Sequence, residues 1–334
     1  MILSNLIKFL LKLALAIGII YWLIQSGKLD FSLVSKSISS GPQWIFCLLL
    51  IFAQAALSSV RWKLILEINS DKIFSSLKVM KVTWIGLFFN SFLPGAVTGD
   101  FIKLLYVKDI DPKMTKTYLV TTVLIDRILG LIGLLTILGM SSMFFYEEII
   151  AFGPKMATLL HFNLLLFAGA MFFISLLFAP QKIQNTVLNL VKMIPVLGEK
   201  IEQTLSGVWL IGAQKKTLLT CLGISIILQG ITIVAFYIIS SPFYGKDVPL
   251  TFIASLVPSG FIAIAIPISP AGLGVGHYIF DLLFSYIHIQ GGANFFNLFF
   301  LVNVTINSLG FFPYVFSGKK HTLEEAEQFE EATL

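Results

Sequence analysis

Six long apolar runs recur along the chain and predict its architecture. A helix rises about 1.5 Å per residue, so roughly 20 apolar residues cross the hydrocarbon core of a bilayer. The pattern therefore predicts an all-α polytopic membrane protein with about six full transmembrane helices. The runs cover residues 6–25, 43–60, 117–145, 160–179, 217–240 and 294–317.

Two further apolar stretches, 80–98 and 250–290, are interrupted by residues that break helices. Broken backbone at membrane depth is tolerated only where it is buried in protein or lines a polar cavity. We therefore predict two broken elements inside the bundle. Their helix breakers are Asn90, Pro94, Gly95 and Gly99 in the first stretch, and Pro258, Gly260, Pro267, Pro270, Gly272, Gly274 and Gly276 in the second.

The placement of basic residues orients these elements. If residues 80–98 crossed the bilayer, one of two basic flanks would lie outside, against the positive-inside rule. A re-entrant hairpin that enters and leaves on the cytoplasmic side removes the conflict. Stretch 250–290 then starts and finishes outside, as a hairpin or as two short full spans, and both termini are cytoplasmic. The flanks of 80–98 carry Arg61, Lys63, Lys72 and Lys78 before it, and Lys103, Lys108, Lys113 and Lys116 after it.

Paired broken segments of opposite orientation indicate an alternating-access site near the bilayer midplane. Composition agrees with a membrane protein, because 57% of residues are hydrophobic and only 12% are charged, against about 25% charged residues in soluble domains. The net charge of +5 does not indicate nucleic acid, since the basic residues lie in loops that meet anionic membrane lipids. Cys47 and Cys221 each lie in an apolar run, and the sequence implies no metal or cofactor.

A single transmembrane domain is predicted over residues 1–320, with two less apolar segments. Residues 181–216 read as a cytoplasmic amphipathic segment, either lying at the membrane interface or packing on the bundle as a soluble elbow. Residues 321–334 form an acidic tail, predicted to be disordered.

The first candidate site follows the break in 80–98. Proline and glycine leave backbone groups available to hydrogen-bond a lipid phosphate or a sugar. Asp100 and Lys103 are three residues apart, so they can pair or can bind opposite charges of a headgroup. A kink with a surface ion pair is the structural alternative. The candidate residues are Asn90, Pro94, Gly95, Thr98, Gly99, Asp100 and Lys103.

The second candidate site is Asp126 and Arg127, within the apolar run 117–145. Asp126 lies ten residues beyond Lys116, which places it about 15 Å from the helix end and near mid-bilayer. A charged side chain at that depth costs free energy, so each one is treated as a candidate functional residue. Arg127 can bind a phosphate bidentately, or it can form a structural bridge to Asp100 or Asp281.

The third candidate site is Ser269, Gly272, Gly274, His277 and Asp281. The alternating glycines allow positive φ angles and close backbone approach. A helix that begins near Gly274 would offer its N-terminal N–H groups to an anion. His277 falls in the first turn, where it is either a plain hydrogen-bonding group or a proton carrier, with Asp281 as a possible partner on the same face.

Three motifs in fixed order resemble those of a known family. Residues 90–103 resemble the element N-x-F-L-P-G-x-x-G-D-x-x-R with one more residue between its two glycines, residues 126–130 match D-R-x-x-G, and P-x-S-P-x-G-L-G-V falls within residues 266–275. The chain resembles the lysylphosphatidylglycerol synthase transmembrane-region family, also called flippase-like domain proteins, from about residue 8 to residue 317. Lys103 stands where the family usually has Arg, and Gly276-His277 stands where many members have Arg-Glu.

The resemblance implies a polytopic inner-membrane protein similar to the membrane module of the multiple peptide resistance factor, which flips aminoacylated phosphatidylglycerol between leaflets. A short acidic tail follows residue 317, so we expect no soluble aminoacyl-transferase domain and no lipid synthesis. The two departures mean that a headgroup preference is not carried over.

We expect this chain to flip a phospholipid or a lipid-linked headgroup, without being an enzyme. One alternative is a membrane-embedded transferase that acts on a lipid phosphate, with Asp100 or Asp126 as the base. Another is a proton-coupled solute transporter that uses His277 and Asp281. A scaffold subunit is a third. The sequence contains no GxxxxGK[ST] phosphate loop, which argues against ATP hydrolysis by this chain.

Overall fold

The computed structural model describes most of the chain. The described residues form helices and no strand, which confirms an all-α membrane protein. They are residues 41–70, 72–92, 98–192, 198–265, 272–318 and 320–321, with the single residues 18, 21, 25, 32, 35, 325, 326 and 329.

The helices are numbered here in chain order. They are α1 (Pro42–Leu66), α2 (Ser76–Phe92), α3 (Thr98–Ile110), α4 (Lys116–Phe144), α5 (Tyr146–Ile150), α6 (Pro154–Leu177), α7 (Gln181–Lys192), α8 (Gly198–Ala213), α9 (Lys215–Ser240), α10 (Leu250–Ala265), α11 (Val275–Ser285), α12 (Gly292–Ser308) and α13 (Phe311–Val315).

Five of the six predicted spans lie in the described part of the chain. Helices α1, α4, α6, α9 and α12 are long and apolar enough to cross a membrane, counting the short helical extensions of three of them. The predicted span 6–25 falls almost wholly outside the described residues. Helix α9 packs along both α1 and α4, so these three helices form the centre of the bundle.

Four chain segments meet at one end of the bundle. The Tyr118 hydroxyl donates to the Ile65 carbonyl at 2.9 Å, which joins the start of α4 to the end of α1. Lys72 Nζ donates to the Ile110 carbonyl at 3.0 Å, which joins the segment before α2 to the end of α3. The loops here carry lysines, and we call this end of the molecule the basic end.

Helices α2 and α3 form the first hairpin, which enters and returns at the basic end. They pack closely because Gly86 faces Gly99, where an added Cβ would lie only 2.1 Å from the Gly86 carbonyl oxygen. The start of α3 contacts α4 at Arg127, eleven residues or about 16 Å from the start of that helix. The hairpin therefore stops about midway along α4, in agreement with the predicted re-entrant element.

Helices α10 and α11 form the second hairpin, which starts from the opposite end. Lys246 Nζ, before α10, donates to the Ile287 carbonyl, after α11, at 2.7 Å. Helix α11 has 11 residues and spans about 16 Å, well short of a bilayer's hydrocarbon core of about 30 Å. Of the two arrangements that the sequence left open, these lengths favour a hairpin over two full spans.

Helix α12 contacts both hairpins. Asn307 Nδ2 donates to Ser91 Oγ of the first hairpin at 2.8 Å, and the Trp84 indole N–H donates to the Ile306 carbonyl at 3.3 Å. Nearer its start, Asn297 bonds His277 of the second hairpin. One helix therefore joins the two broken elements.

The amphipathic segment 181–216 forms helices α7 and α8 at the basic end. They pack against each other, and α8 also packs against α4. An ion pair of 3.0 Å joins Lys192 of α7 to Glu202 of α8. Helix α7 has no fully buried residue, and its contact with α8 leaves most of its residues exposed.

Candidate functional site

Three charged side chains meet where the first hairpin reaches α4. Lys103 Nζ lies 2.9 Å from Asp100 Oδ1. Arg127 Nε donates to Asp100 Oδ2 at 2.7 Å, and its Nη2 contacts the same oxygen. We call Asp100, Lys103 and Arg127 the tip cluster. The first two candidate sites predicted from sequence thus meet in space.

Local structure explains why Asp100 and Lys103 are held together. Asp100 lies in the first turn of α3, where the helix dipole stabilises a carboxylate. Lys103 is one turn further on the same face. Its Nζ also lies 4.4 Å from the centre of the Trp62 ring, an arrangement that stabilises a cation. The Trp62 indole N–H donates to Thr122 Oγ1 at 3.3 Å, which fixes the ring.

Arg127 differs from its partners in being accessible. Its side chain is 43% exposed, whereas those of Asp100 and Lys103 are each 9% exposed. Two cations share one carboxylate here, so the cluster carries a net charge of +1 when all three groups are ionised. An accessible guanidinium with a surplus positive charge suits a phosphate or carboxylate ligand.

Asn90 and Gly99 shape the backbone at this tip. The Gly99 N–H donates to Asn90 Oδ1 at 2.9 Å, which ties the start of α3 to the last turns of α2. Pro94 and Gly95 lie outside the described residues. Thr98 begins α3. Within the described residues, the hydrogen bond from Gly99 to Asn90 holds the backbone next to Asp100.

Asp126, the neighbour of Arg127, belongs to a second ion pair. Arg61 Nε lies 2.8 Å from Asp126 Oδ1, and the two side chains are 7% and 12% exposed. Arg61 Nη1 also donates to Ser225 Oγ of α9 at 2.7 Å. This pair, which we call the core pair, joins α1, α4 and α9 at the centre of the bundle.

The assignment of Arg61 to a cytoplasmic loop is wrong. The predicted span ended at residue 60, but α1 continues to Leu66 and buries Arg61 within its last turns. The apolar residues Trp62, Leu64 and Ile65 extend the helical pattern past the arginine. A deep carboxylate such as Asp126 also demands a cationic partner, which was the available signal for Arg61.

The third candidate site lies in the second hairpin. Gly272 and Gly274 have φ angles of 74° and 75°, which confirms the predicted positive φ angles. The Gly274 N–H donates to His277 Nδ1 at 3.3 Å, and His277 Nε2 lies 3.4 Å from Asn297 Oδ1. The sequence suggested Asp281 as the partner of His277, but the buried ring pairs with Asn297 instead. Ser269 lies outside the described residues.

Sequence reasoning missed Asn297, which sits in the apolar run of α12. Because His277 Nδ1 accepts from a backbone amide, Nε2 carries the proton that is donated to the Asn297 carbonyl oxygen. In this arrangement the His277 ring is neutral and Nε2 is its hydrogen-bond donor. The ring packs edge-on against Phe296, with ring centres 4.9 Å apart. It is a separate polar site from the tip cluster.

A metal site requires several ligating side chains that lie close together. Within the described residues, no group of three or more His, Cys, Asp or Glu side chains could hold a metal ion. Cys47 and Cys221 are both buried. Among the candidate residues predicted from sequence, ionised side chains form ion pairs in the tip cluster and in the core pair.

The fold and these charges define a class: a multi-pass helical membrane protein with two broken hairpins that start from opposite ends. A family model described as Lysylphosphatidylglycerol synthase TM region matches residues 9–297. The chain belongs to this family, as its motifs indicated. No curated protein and no solved structure matches it.

Proposed function

We propose that this protein moves a phospholipid or a lipid-linked headgroup between the leaflets of a bilayer, with the tip cluster as its headgroup site. The observation that carries the proposal is the half-exposed side chain of Arg127 on α4, which meets the end of the first hairpin about midway along α4. The family supports a lipid-related membrane module.

The cluster's charge suits a phosphodiester headgroup. Transferring a charged group into hydrocarbon costs many kcal/mol unless it is paired. A phosphodiester carries one negative charge, which offsets the net +1 of the tip cluster. Arg127 binds the phosphate oxygens with its forked N–H groups, while Asp100 keeps its contact with Lys103. The headgroup is then paired at mid-depth while its acyl chains remain in lipid.

The alternation of Arg127 between two anions gives the site a cycle. Asp100 pairs with Arg127 while the site is empty, with one positive charge left on the cluster, and a headgroup phosphate competes for the same guanidinium when bound. Arg127 therefore need never be left as an unpaired charge at membrane depth, a state that costs several kcal/mol. No energy source is required for movement down a gradient.

The basic end is proposed to face the cytoplasm, in a plasma membrane of bacterial or archaeal type. The lysine-bearing loops before α2 and after α3 and α6 lie at this end, in line with the positive-inside rule. Anionic lipids of that leaflet are the expected surface partners. Labelling of Lys72→Cys from one side of sealed vesicles tests the orientation.

Fluorescent-lipid movement in proteoliposomes tests the function. Wild type is compared with Arg127→Gln and with Lys155→Gln, a matched charge removal at the opposite end. Phosphatidylglycerol and an aminoacylated analogue serve as substrates. We expect Arg127→Gln to slow movement at least about tenfold, the kinetic equivalent of losing one charge-assisted contact, and Lys155→Gln to match wild type.

Failure of the folded wild type to move either lipid would overturn the proposal. Equal rates for Arg127→Gln and wild type would remove the tip cluster from it. Covalent change of the lipid in the same vesicles would favour the transferase alternative, and uptake of a small solute with a proton would favour the transporter.

A further inference from the structure

Residues near the C-terminus pack onto the first hairpin. Ala326 and Phe329 are buried and belong to the same apolar core as Ile102 of α3. The Phe329 ring centre lies 6.5 Å from that of Phe101, the residue that follows Asp100 of the tip cluster. Lys116 Nζ, at the start of α4, lies 5.1 Å from the Phe329 ring centre.

His321 connects this segment to α3. Its Nε2 lies 2.7 Å from Asp109 Oδ2 of α3, and its Nδ1 lies 2.7 Å from Glu325 Oε2. The side chain is only 5% exposed. The Tyr106 ring packs edge-on against the imidazole at 4.8 Å. Both ring nitrogens are therefore committed to carboxylates on two separate parts of the chain.

This pairing depends on protonation. A neutral imidazole has one N–H and one acceptor nitrogen, whereas an imidazolium has two N–H donors. Only the imidazolium can donate to both carboxylates, and a neutral ring would leave one nitrogen lone pair facing an anion. Three other charged or titratable groups lie around His321: Tyr106 and Lys108 of α3, and Lys116 of α4. The two lysines line a cavity of about 310 Å³ beside the His321 ring.

We propose that His321, Glu325, Ala326 and Phe329 form a protonation-dependent strap that holds α3, and with it Asp100, in position. Protonated His321 closes the strap on Asp109. Loss of that proton breaks one of the two contacts, releases Phe329 from Phe101 and frees the returning helix of the hairpin. The consequence for lipid movement rests on the proposed function, but the strap itself does not.

Thiol labelling measures release of the strap directly. Ala326→Cys places a thiol at a buried position of the strap, and Gly318→Cys places one in open space as a control. The native Cys47 and Cys221 are buried and do not compete. The ratio of the two alkylation rates cancels the effect of pH on thiol reactivity. We expect this ratio to rise about tenfold between acidic and alkaline pH, because deprotonation of the imidazolium removes one charged hydrogen bond.

Substitution of His321 separates protonation from packing. In a His321→Gln background the ratio of alkylation rates should be high at both pH values. Glutamine carries no positive charge, so it cannot replace the imidazolium between the two carboxylates. In a His321→Arg background, a permanent cation should keep it low at both. Glu325→Gln removes one anion and should flatten the pH profile even if Arg is not accommodated. A ratio that is unchanged by pH and by all three substitutions would overturn the strap.

Hydrogen exchange of residues 98–110 tests the link to the hairpin. We expect exchange in α3 to increase with release of the strap, and His161→Gln, which removes a contact to Tyr146 elsewhere in the molecule, to leave it unchanged. Unchanged exchange in α3 on release would refute the positioning role. These readouts need no lipid movement, so a failure of the proposed function is recognised separately, by the vesicle assay.

Discussion

Asp126 and Arg127 are neighbours on α4, yet the core pair and the tip cluster that they form are opposite in character. In the core pair, both side chains are buried and a third helix adds a hydrogen bond from Arg61 to Ser225. In the tip cluster the carboxylate is buried but the arginine is accessible. Successive residues of a helix point about 100° apart, so α4 presents one charge to the bundle and the other to the hairpin. Accessibility of the cation, and not depth alone, separates the structural charge of the core pair from the charge that we propose to bind a ligand.

The partners of the two pairs also differ in how they are anchored. Arg61 belongs to α1, a helix of 25 residues that packs along α9. Asp100 belongs to α3, a helix of 13 residues that begins in mid-bundle. Separating the core pair requires long helices to part, whereas separating the tip cluster requires only a short hairpin to move. The following predictions test this contrast.

The largest effect is expected from breaking the core pair. Arg61→Met leaves Asp126 buried without its cation, so we expect the free energy of unfolding to fall by about 3–5 kcal/mol. Denaturation in detergent micelles measures the change. The double variant Arg61→Met with Asp126→Leu removes both charges and should recover most of the loss. Equal stability of the single variant and wild type would contradict a structural role for the pair.

Crowding the hairpin comes next. In Gly99→Ala, the new methyl group would meet the Gly86 carbonyl oxygen at 2.1 Å, so α2 and α3 must separate at a cost of about 1–3 kcal/mol. The tip cluster is displaced as well, and lipid movement should fall with stability. Gly169→Ala is the matched control, because its methyl group meets no neighbouring atom. Similar thermal stability for the two variants would argue against tight packing at the tip.

Removal of Arg127 should affect activity more than stability. In Arg127→Met, Asp100 keeps Lys103, so the free energy of unfolding should fall by only about 1 kcal/mol. Lipid movement should still fall at least about tenfold. Measuring both quantities for Arg127→Met and Arg61→Met gives a direct comparison of the two pairs. A larger stability loss at Arg127 than at Arg61 would reverse the contrast drawn here.

A buried carboxylate outside the membrane-spanning helices provides the smallest effect. Burial alone would raise the pKa of Asp111, but hydrogen bonds from Ser70 and the Lys113 amide, with the charge of Lys72, lower it below its usual value. Such a group stabilises the fold above its unfolded-state pKa, and the contribution is lost as pH falls through the folded-state pKa.

We therefore expect Asp111→Asn to lower the free energy of unfolding by about 1 kcal/mol near neutral pH. The difference from wild type should shrink as the pH approaches the acidic range. Thermal denaturation of both proteins across that range measures it. A difference that grows on acidification would have the wrong sign for this carboxylate.

Much of the fold could be predicted because membrane spans are encoded locally, in the length of apolar runs and the placement of lysines. The tip cluster was partly predictable, since Asp100 and Arg127 were both identified and their bridge was one of two alternatives. Arg61 was not, because its burial depends on where α1 ends. Asn297 lies in an apolar run, and His321 lies at the start of an acidic tail whose composition is typical of disorder. These contacts are set by tertiary packing, which no local pattern records.

The contacts of α12 with both hairpins have a consequence for how the two hairpins move. Asn297 and Asn307 contact different hairpins and lie ten residues, or about 15 Å, apart on one stiff rod. A tilt or slide that favours one hairpin's contact changes the fit at the other. By thermodynamic reciprocity, a ligand that changes the contact of one hairpin with α12 changes the equilibrium at the other hairpin by the same factor. We therefore expect the two hairpins to move in a coupled way, through α12, and not independently.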